Sequence, residues 1–129
     1  TIGKRFDAIG LENTEDNRRA YRSLLATTEG LSEHISGVIL YEETLFQDST
    51  AEAGGAPIME LFQKQGIVPG IKVDQGVEPL PGGVAGESWC TGLKGLGERA
   101  ARYYARGARF AINEQGMHEV NHFRNVGIG

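Results

Sequence analysis

The chain has 129 residues, the length of one ordinary domain, and its 40% hydrophobic and 23% charged residues are typical of a globular protein. A formal charge of −4 provides no excess of cations for a nucleic acid backbone, which excludes nucleic acid as a partner. No apolar run approaches the ~18 residues that a transmembrane helix needs. The single cysteine, Cys90, cannot form an internal disulfide, which favours a reducing compartment.

The first part of the chain contains two predicted helices and one predicted strand. Residues 1–9 form the end of a helix, and Gly10 stops it. Thr14 precedes two acidic residues and an apolar stripe with helical spacing, so a second helix is predicted from 14 to 26. Residues 35–41 are an apolar run rich in β-branched side chains, which is typical of a strand buried on both faces of a parallel sheet.

The second part of the chain continues the alternation. The sequence predicts a loop at 44–54 and a long loop rich in glycine and proline at 74–89. It predicts helices at 56–65 and 91–106, and strands at 67–73 and 108–112. The order α-β-α-β-α-β indicates a parallel sheet with right-handed crossovers. An open doubly wound sheet and part of a (β/α)₈ barrel both fit, but the glycine-rich dinucleotide fingerprint is absent.

Four ordered motifs identify a family. Residues 9–19 read IGLENTEDNRR, residues 37–47 read GVILYEETLFQ, residues 68–74 read VPGIKVD, and residues 107–111 read GARFA. In this order they resemble class I fructose-1,6-bisphosphate aldolases, almost collinearly over residues 1–111. The resemblance implies an α/β fold: a partial TIM (β/α)₈ barrel of about three parallel strands with crossover helices. It divides the chain into an aldolase-like partial barrel, 1–112, and a divergent tail, 113–129.

The same resemblance implies a small set of site residues. Lys72 matches a lysine on the family's third strand that reaches a substrate phosphate, and Arg5 and Thr1 fall near positions that help to hold that phosphate. The family's Schiff-base lysine on the sixth strand and its aspartate on the first strand have no counterpart in this sequence. Where the fourth strand of the family ends in Lys-x-Arg, this chain has Ile112 and Glu114. No catalytic residue is therefore expected within these 129 residues.

Each of these cations also has a purely structural interpretation. Lys72 could pair with Asp74 or with another acid nearby, which would satisfy a lysine in an otherwise apolar strand. Lys4 and Arg5 could serve as cations at the C-terminal end of the first helix, where they complement the helix dipole. We favour the structural interpretation for Lys72, and also for Lys4 and Arg5.

A short motif in the tail indicates a different chemistry. His118 and His122 belong to an HExxH string, in which histidines four residues apart on a helix can bind zinc. The segment has no clear helical pattern, and no third ligand follows at a known spacing. A solvated tail is the alternative that we favour, so no metal and no other cofactor is expected.

Two functions from different classes remain open. The first is a non-catalytic structural or interaction subunit, derived from an aldolase and held in a larger assembly. Its protein partners would cover the exposed sheet edges and the inner face. The second is an incomplete chain of a genuine aldolase, which forms a Schiff base and cleaves a sugar phosphate. Because Glu87-Ser88-Trp89-Cys90 and Tyr103-Tyr104 resemble plant and algal plastid forms, a plastid is expected, with the cytoplasm as the other compartment, and a photosynthetic assembly is the expected partner of a non-catalytic subunit.

Overall fold

The computed structural model describes residues 2–113, in which helices and strands alternate. The α-helices are α1 (Ile2–Asp7), α2 (Glu15–Ala26), α3 (Glu42–Phe46), α4 (Ile58–Lys64) and α5 (Leu96–Arg106). The strands are β1 (Gly37–Leu40), β2 (Val68–Lys72), β3 (Val77–Pro79), β4 (Ser88–Cys90) and β5 (Phe110–Ile112). A short 3₁₀ turn, Leu31–Glu33, precedes β1. No helix among the described residues is long and apolar enough to cross a membrane.

The main sheet has three parallel strands in the order β1-β2-β5. Helices α3 and α4 connect β1 to β2, and α5 connects β2 to β5, so each parallel pair is joined through helices. This arrangement confirms the predicted α/β fold with three parallel strands and crossover helices. Each strand is shorter than predicted. The β1–β2 pairing begins at Gly37↔Val68, and the β2–β5 pairing ends at Lys72↔Ile112.

The two faces of this sheet differ sharply in exposure. On the outer face, Leu40, Ile71 and Val73 pack with the helices in the hydrophobic core. Side chains alternate along a strand, so the intervening residues lie on the inner face. There Ile39 is 52% exposed and Val68 is 43% exposed. The apolar inner face of the described residues is thus open to water.

Three local features differ from the sequence-based prediction. Helix α3 begins just after the predicted strand 35–41 and extends into the predicted loop 44–54, and it has two acids, Glu42 and Glu43, in its first turn. Strands β3 and β4 form an antiparallel hairpin within the predicted loop 74–89. Helix α5 begins at Leu96 rather than at residue 91. Because Gly92 and Gly95 have φ values of +80° and +70°, the chain before Leu96 cannot be helical.

Helix α2 is held at its start and along one face. Thr14 caps it as predicted, since its hydroxyl accepts a hydrogen bond from the Asn17 amide at 3.2 Å. Arg18 then donates to both carboxylate oxygens of Glu43, at 3.0 and 2.6 Å, and Arg22 donates to the same carboxylate at 2.6 Å. This bidentate contact fastens α2 to α3 and therefore to the end of β1.

We expect Glu43→Gln to destabilise the fold by about 1 kcal/mol, a discounted value because water screens a carboxylate that is 36% exposed. The hydrogen bond from Arg18 is the main reason that the pKa of Glu43 falls from 4.5 to about 2. A lowered folded-state pKa means that this stabilisation is complete above pH 4.5 and is lost as the pH falls toward 2. Urea unfolding measures this effect: the difference in unfolding free energy between Glu43→Gln and wild type should be smaller at pH 3 than at pH 6.

Glu42→Gln is the matched control, because Glu42 is the neighbouring carboxylate and its ion pair with Arg102 has both side chains about half exposed. We expect this variant to change the unfolding free energy by less than about 0.5 kcal/mol. Equal losses in the two variants would contradict a special role for Glu43.

Candidate functional site

Lys72 lies at the carboxyl end of β2, the edge of a parallel barrel sheet where active sites are built. Its ammonium forms an ion pair with Asp74, as the structural interpretation predicted. The Asp74 side chain is fully buried, whereas the Lys72 side chain keeps 20% of its surface exposed. Asp74 also accepts a hydrogen bond from the Gly76 amide at 2.8 Å. The pair therefore combines a fixed carboxylate with a cation that reaches water.

The inner face beside Lys72 is apolar. Lys72 is opposite Ile112 in the β2–β5 register, so an aliphatic side chain stands where the family resemblance implies a cation. One step back along the sheet, Gly70 is opposite Phe110. The Phe110 ring lies directly over Gly70, and a β-carbon at Gly37 would also be 3.3 Å from it. The ring thus fills space above two glycines that have no side chains of their own.

The loop after β2 is closed by backbone contacts. Gln75 donates to the Thr91 carbonyl at 3.0 Å, and Thr91 donates back to the Gly76 carbonyl at 2.9 Å. Gly92 packs so closely on Gln75 that a β-carbon there would be 2.9 Å from the Gln75 amide nitrogen. These contacts hold the segment between β4 and α5 against the residues that follow β2.

Arg99 was missed in the sequence, although its guanidinium donates to the carbonyl of Val73 at 3.1 Å. It is an arginine next to Glu98 on an amphipathic helix, which looks like any solvent-facing charged pair. A guanidinium that binds main-chain carbonyls leaves no pattern in the side-chain sequence. The helical position alone could have indicated only that Arg99 lies one turn after Gly95.

Arg5 lies in the last turn of α1, near β1. It donates to the Tyr21 hydroxyl at 2.8 Å and lines an open cleft of about 370 Å³. Apolar residues of α2 and β1, including Leu25 and Ile39, form much of the cleft wall. Lys72 is not among the residues that line this cleft. Lys4 and Arg5 do occupy the last turn of α1, as the structural interpretation requires.

Several predicted site residues lie outside the described residues. These are Thr1, Glu114, and the two histidines of the HExxH string, His118 and His122. Within residues 2–113, no cluster of three or more His, Cys, Asp or Glu side chains could hold a metal ion. Cys90 is a buried thiol in the hairpin. The zinc hypothesis and the role of the divergent tail, 113–129, therefore stay predictions.

Comparison with known proteins decides the family. A family model described as fructose-bisphosphate aldolase class-I matches residues 1–117, which is most of the chain. The chain belongs to the class I fructose-bisphosphate aldolase family. The resemblance inferred from the four motifs is thereby confirmed, and the alignments with the relatives described below cover 111 residues.

Two curated relatives of this aldolase-family chain are named as chloroplastic aldolases. It is 58% identical to fructose-bisphosphate aldolase 1, chloroplastic, of Chlamydomonas reinhardtii, over 86% of this chain and 28% of the relative. It is 59% identical to the chloroplastic fructose-bisphosphate aldolase of Oryza sativa subsp. japonica, again over 86% of this chain and 28% of the relative. The chain thus spans less than a third of the length of these relatives.

A solved aldolase structure has the same fold. The fructose-bisphosphate aldolase of Plasmodium falciparum, crystallised with TRAP and a small-molecule inhibitor, superposes with a TM-score of 0.78 at 52% identity. The match covers 86% of this chain and 31% of the solved chain. This similarity confirms that the three parallel strands are part of a TIM-barrel architecture.

Proposed function

We propose that this chain works within a class I fructose-bisphosphate aldolase and contributes Lys72 to the binding of a substrate phosphate. The observation that carries the proposal is a 58% identical match to an aldolase, combined with a lysine at the carboxyl end of β2. An ammonium can donate to more than one acceptor, so Lys72 can bind a phosphate oxygen while it is paired with Asp74. Asp74 keeps the ammonium oriented toward the end of the strand.

In this proposal the described strands form one side of the substrate pocket. The family resemblance implies that a lysine amine elsewhere in the barrel condenses with the ketone of fructose-1,6-bisphosphate and that the resulting imine permits cleavage between carbons 3 and 4. The chain's own residues hold the phosphate and exclude water with the apolar inner face. Closure of a barrel over Ile39 and Val68 would bury the surface that is open in the described residues.

The non-catalytic subunit is the second candidate, and the exposed inner face is the observation that favours it. An apolar surface of this kind also fits a protein partner that covers the sheet. The relatives support the enzyme instead, since each of those compared above carries the name of an aldolase. Ile112, where the resemblance implies a cation, is a second described feature that favours loss of activity.

The relatives also support a compartment. Four named relatives from a green alga and three plants are chloroplastic aldolases. We therefore propose that this protein acts in a plastid, where the reaction would process sugar phosphates. A photosynthetic assembly remains a proposal that belongs to the non-catalytic alternative.

Trapping the imine with borohydride tests the proposed function. The purified natural polypeptide is incubated with fructose-1,6-bisphosphate and sodium borohydride, which reduces an imine to a stable amine. We expect intact-mass spectrometry to show a covalent triose phosphate adduct and a coupled assay to show triose phosphate release. A sample without borohydride is the control for adduct formation. Absence of both adduct and cleavage, with the same partner proteins co-purifying each time, would instead support the non-catalytic subunit.

A further inference from the structure

Arg99 ties the end of β2 to the loop that precedes α5. It lies in the first turn of the helix. Its guanidinium donates to three backbone carbonyls, those of Val73 at 3.1 Å, Gly92 at 2.5 Å and Lys94 at 2.6 Å. Val73 is the residue between Lys72 and Asp74. One side chain thus holds the backbone at the centre of the candidate phosphate-binding pair.

The β2–β5 pairing that the structure describes ends before it reaches the Val73 carbonyl. The amide of Val73 donates to the Ile112 carbonyl at 3.0 Å, but the strand register with β5 ends at Lys72↔Ile112. Val73 is only 7% exposed, so its carbonyl needs a donor from within the protein. The guanidinium of Arg99 is such a donor.

The chemistry of the contact requires arginine. A guanidinium presents five N–H groups in a fixed plane, so it can bridge carbonyls from separate segments. A lysine ammonium at the same position carries the charge but cannot span them. Among the residues that the structure describes, no carboxylate forms an ion pair with Arg99. Its role is therefore the coordination of main-chain carbonyls.

We propose that Arg99 is a positioning residue for phosphate binding, acting through Val73 on the Lys72–Asp74 pair. Lys72 and Asp74 are two residues apart, so they project to the same side only while Val73 between them stays extended. Arg99 fixes the carbonyl of Val73 and β5 fixes its amide, so the peptide groups on both sides of Val73 are held. The inference rests on the proposed function, because that function gives Lys72 a phosphate to bind.

Steady-state kinetics of Arg99→Gln in the purified natural polypeptide test the proposal. We expect the KM for fructose-1,6-bisphosphate to rise about tenfold, while kcat per borohydride-trapped active site stays within about twofold of wild type. Arg99→Lys should also raise KM, because it retains the charge but lacks the planar guanidinium that bridges the carbonyls. It serves as the second variant if Arg99→Gln does not fold.

Arg106→Gln is the matched control. Arg106 is on the same helix and also donates to a backbone carbonyl, that of Leu45 at 3.1 Å, but it does not contact Val73. We expect its KM to equal that of wild type. If Arg99 has a purely structural role, its variants should lower the fraction of active sites that borohydride traps and leave KM unchanged. That result would overturn the proposal.

Calorimetric titration with inorganic phosphate separates this inference from the proposed function. If wild type forms no imine, the proposed function fails, and the phosphate affinity then decides the role of Arg99. We expect Arg99→Gln to weaken phosphate binding about tenfold and Arg106→Gln to leave it unchanged. Equal affinities in wild type and Arg99→Gln, or no phosphate binding by wild type, would overturn the positioning role.

Discussion

Replacing Lys72 with methionine in the natural polypeptide is expected to lower kcat/KM for fructose-1,6-bisphosphate about 30-fold, mainly through KM. Methionine keeps much of the apolar stem but removes the charge that would bind the phosphate. A hydrogen bond to a charged group contributes about 1.5–3 kcal/mol, and about 1.4 kcal/mol corresponds to a factor of ten. Because phosphate contacts persist from the bound substrate to the transition state, the loss should appear in KM more than in kcat.

Because Lys72 is paired with the buried carboxylate of Asp74, the experiment also needs a double variant. Lys72→Met leaves the Asp74 side chain fully buried without its ammonium, which destabilises the strand end. Adding Asp74→Asn removes the buried charge and should recover stability without recovering KM. Lys64→Met, at an exposed position in the last turn of α4, is the control for loss of a surface lysine.

The two kinetic outcomes have different meanings. A raised KM in both Lys72→Met and the double variant, with wild-type KM in Lys64→Met, supports phosphate binding by Lys72. If KM returns to the wild-type value in the double variant, the ion pair matters only for folding. The phosphate-binding role of Lys72 would then be wrong.

The order of elements could be predicted from the sequence because strong local signals mark it. Thr14 caps α2 as predicted, and the apolar runs around Ile39 and Ile71 both form parallel strands. The family was also readable, since its motifs are collinear and carry many residues each. These features depend on patterns within a few neighbouring residues, which a single sequence displays directly.

The hairpin and α3 were missed because their cause is not local. Strands β3 and β4 pair Val77 with Cys90 across an intervening loop, and neither strand alternates in polarity in a recognisable way. The acids Glu42 and Glu43 were a signal for the start of α3, but the helix spans only Glu42–Phe46, which is too short for a periodic pattern.

The candidate site also contains one residue that could be predicted from the sequence and one that could not. Lys72 could be placed in advance, since a lysine that ends an apolar strand is unusual. Arg99 could not, because its partners are main-chain carbonyls whose positions depend on the completed loop. Sequence therefore predicts which side chain meets a ligand more readily than which side chain holds the backbone beneath it.

Gly70→Ala is expected to destabilise the fold by about 2–3 kcal/mol, because the new methyl group would overlap the ring of Phe110. The ring also lies against Gly37, so it cannot shift across the inner face without losing that contact. Denaturant unfolding of the natural polypeptide measures the loss. Since Gly70 is two residues before Lys72 in β2, we also expect KM for fructose-1,6-bisphosphate to rise.

Gly97→Ala is the matched control, because Gly97 lies in α5 with an ordinary backbone φ and with open space where a β-carbon would project. Alanine there should stabilise the helix by up to about 1 kcal/mol. Combining Gly70→Ala with Phe110→Ala should cost less than the sum of the two single changes, since Phe110→Ala removes the ring that the new methyl group would overlap. Strict additivity would mean that the methyl group finds space without moving the ring, and the glycine would then have no packing reason to stand opposite Phe110.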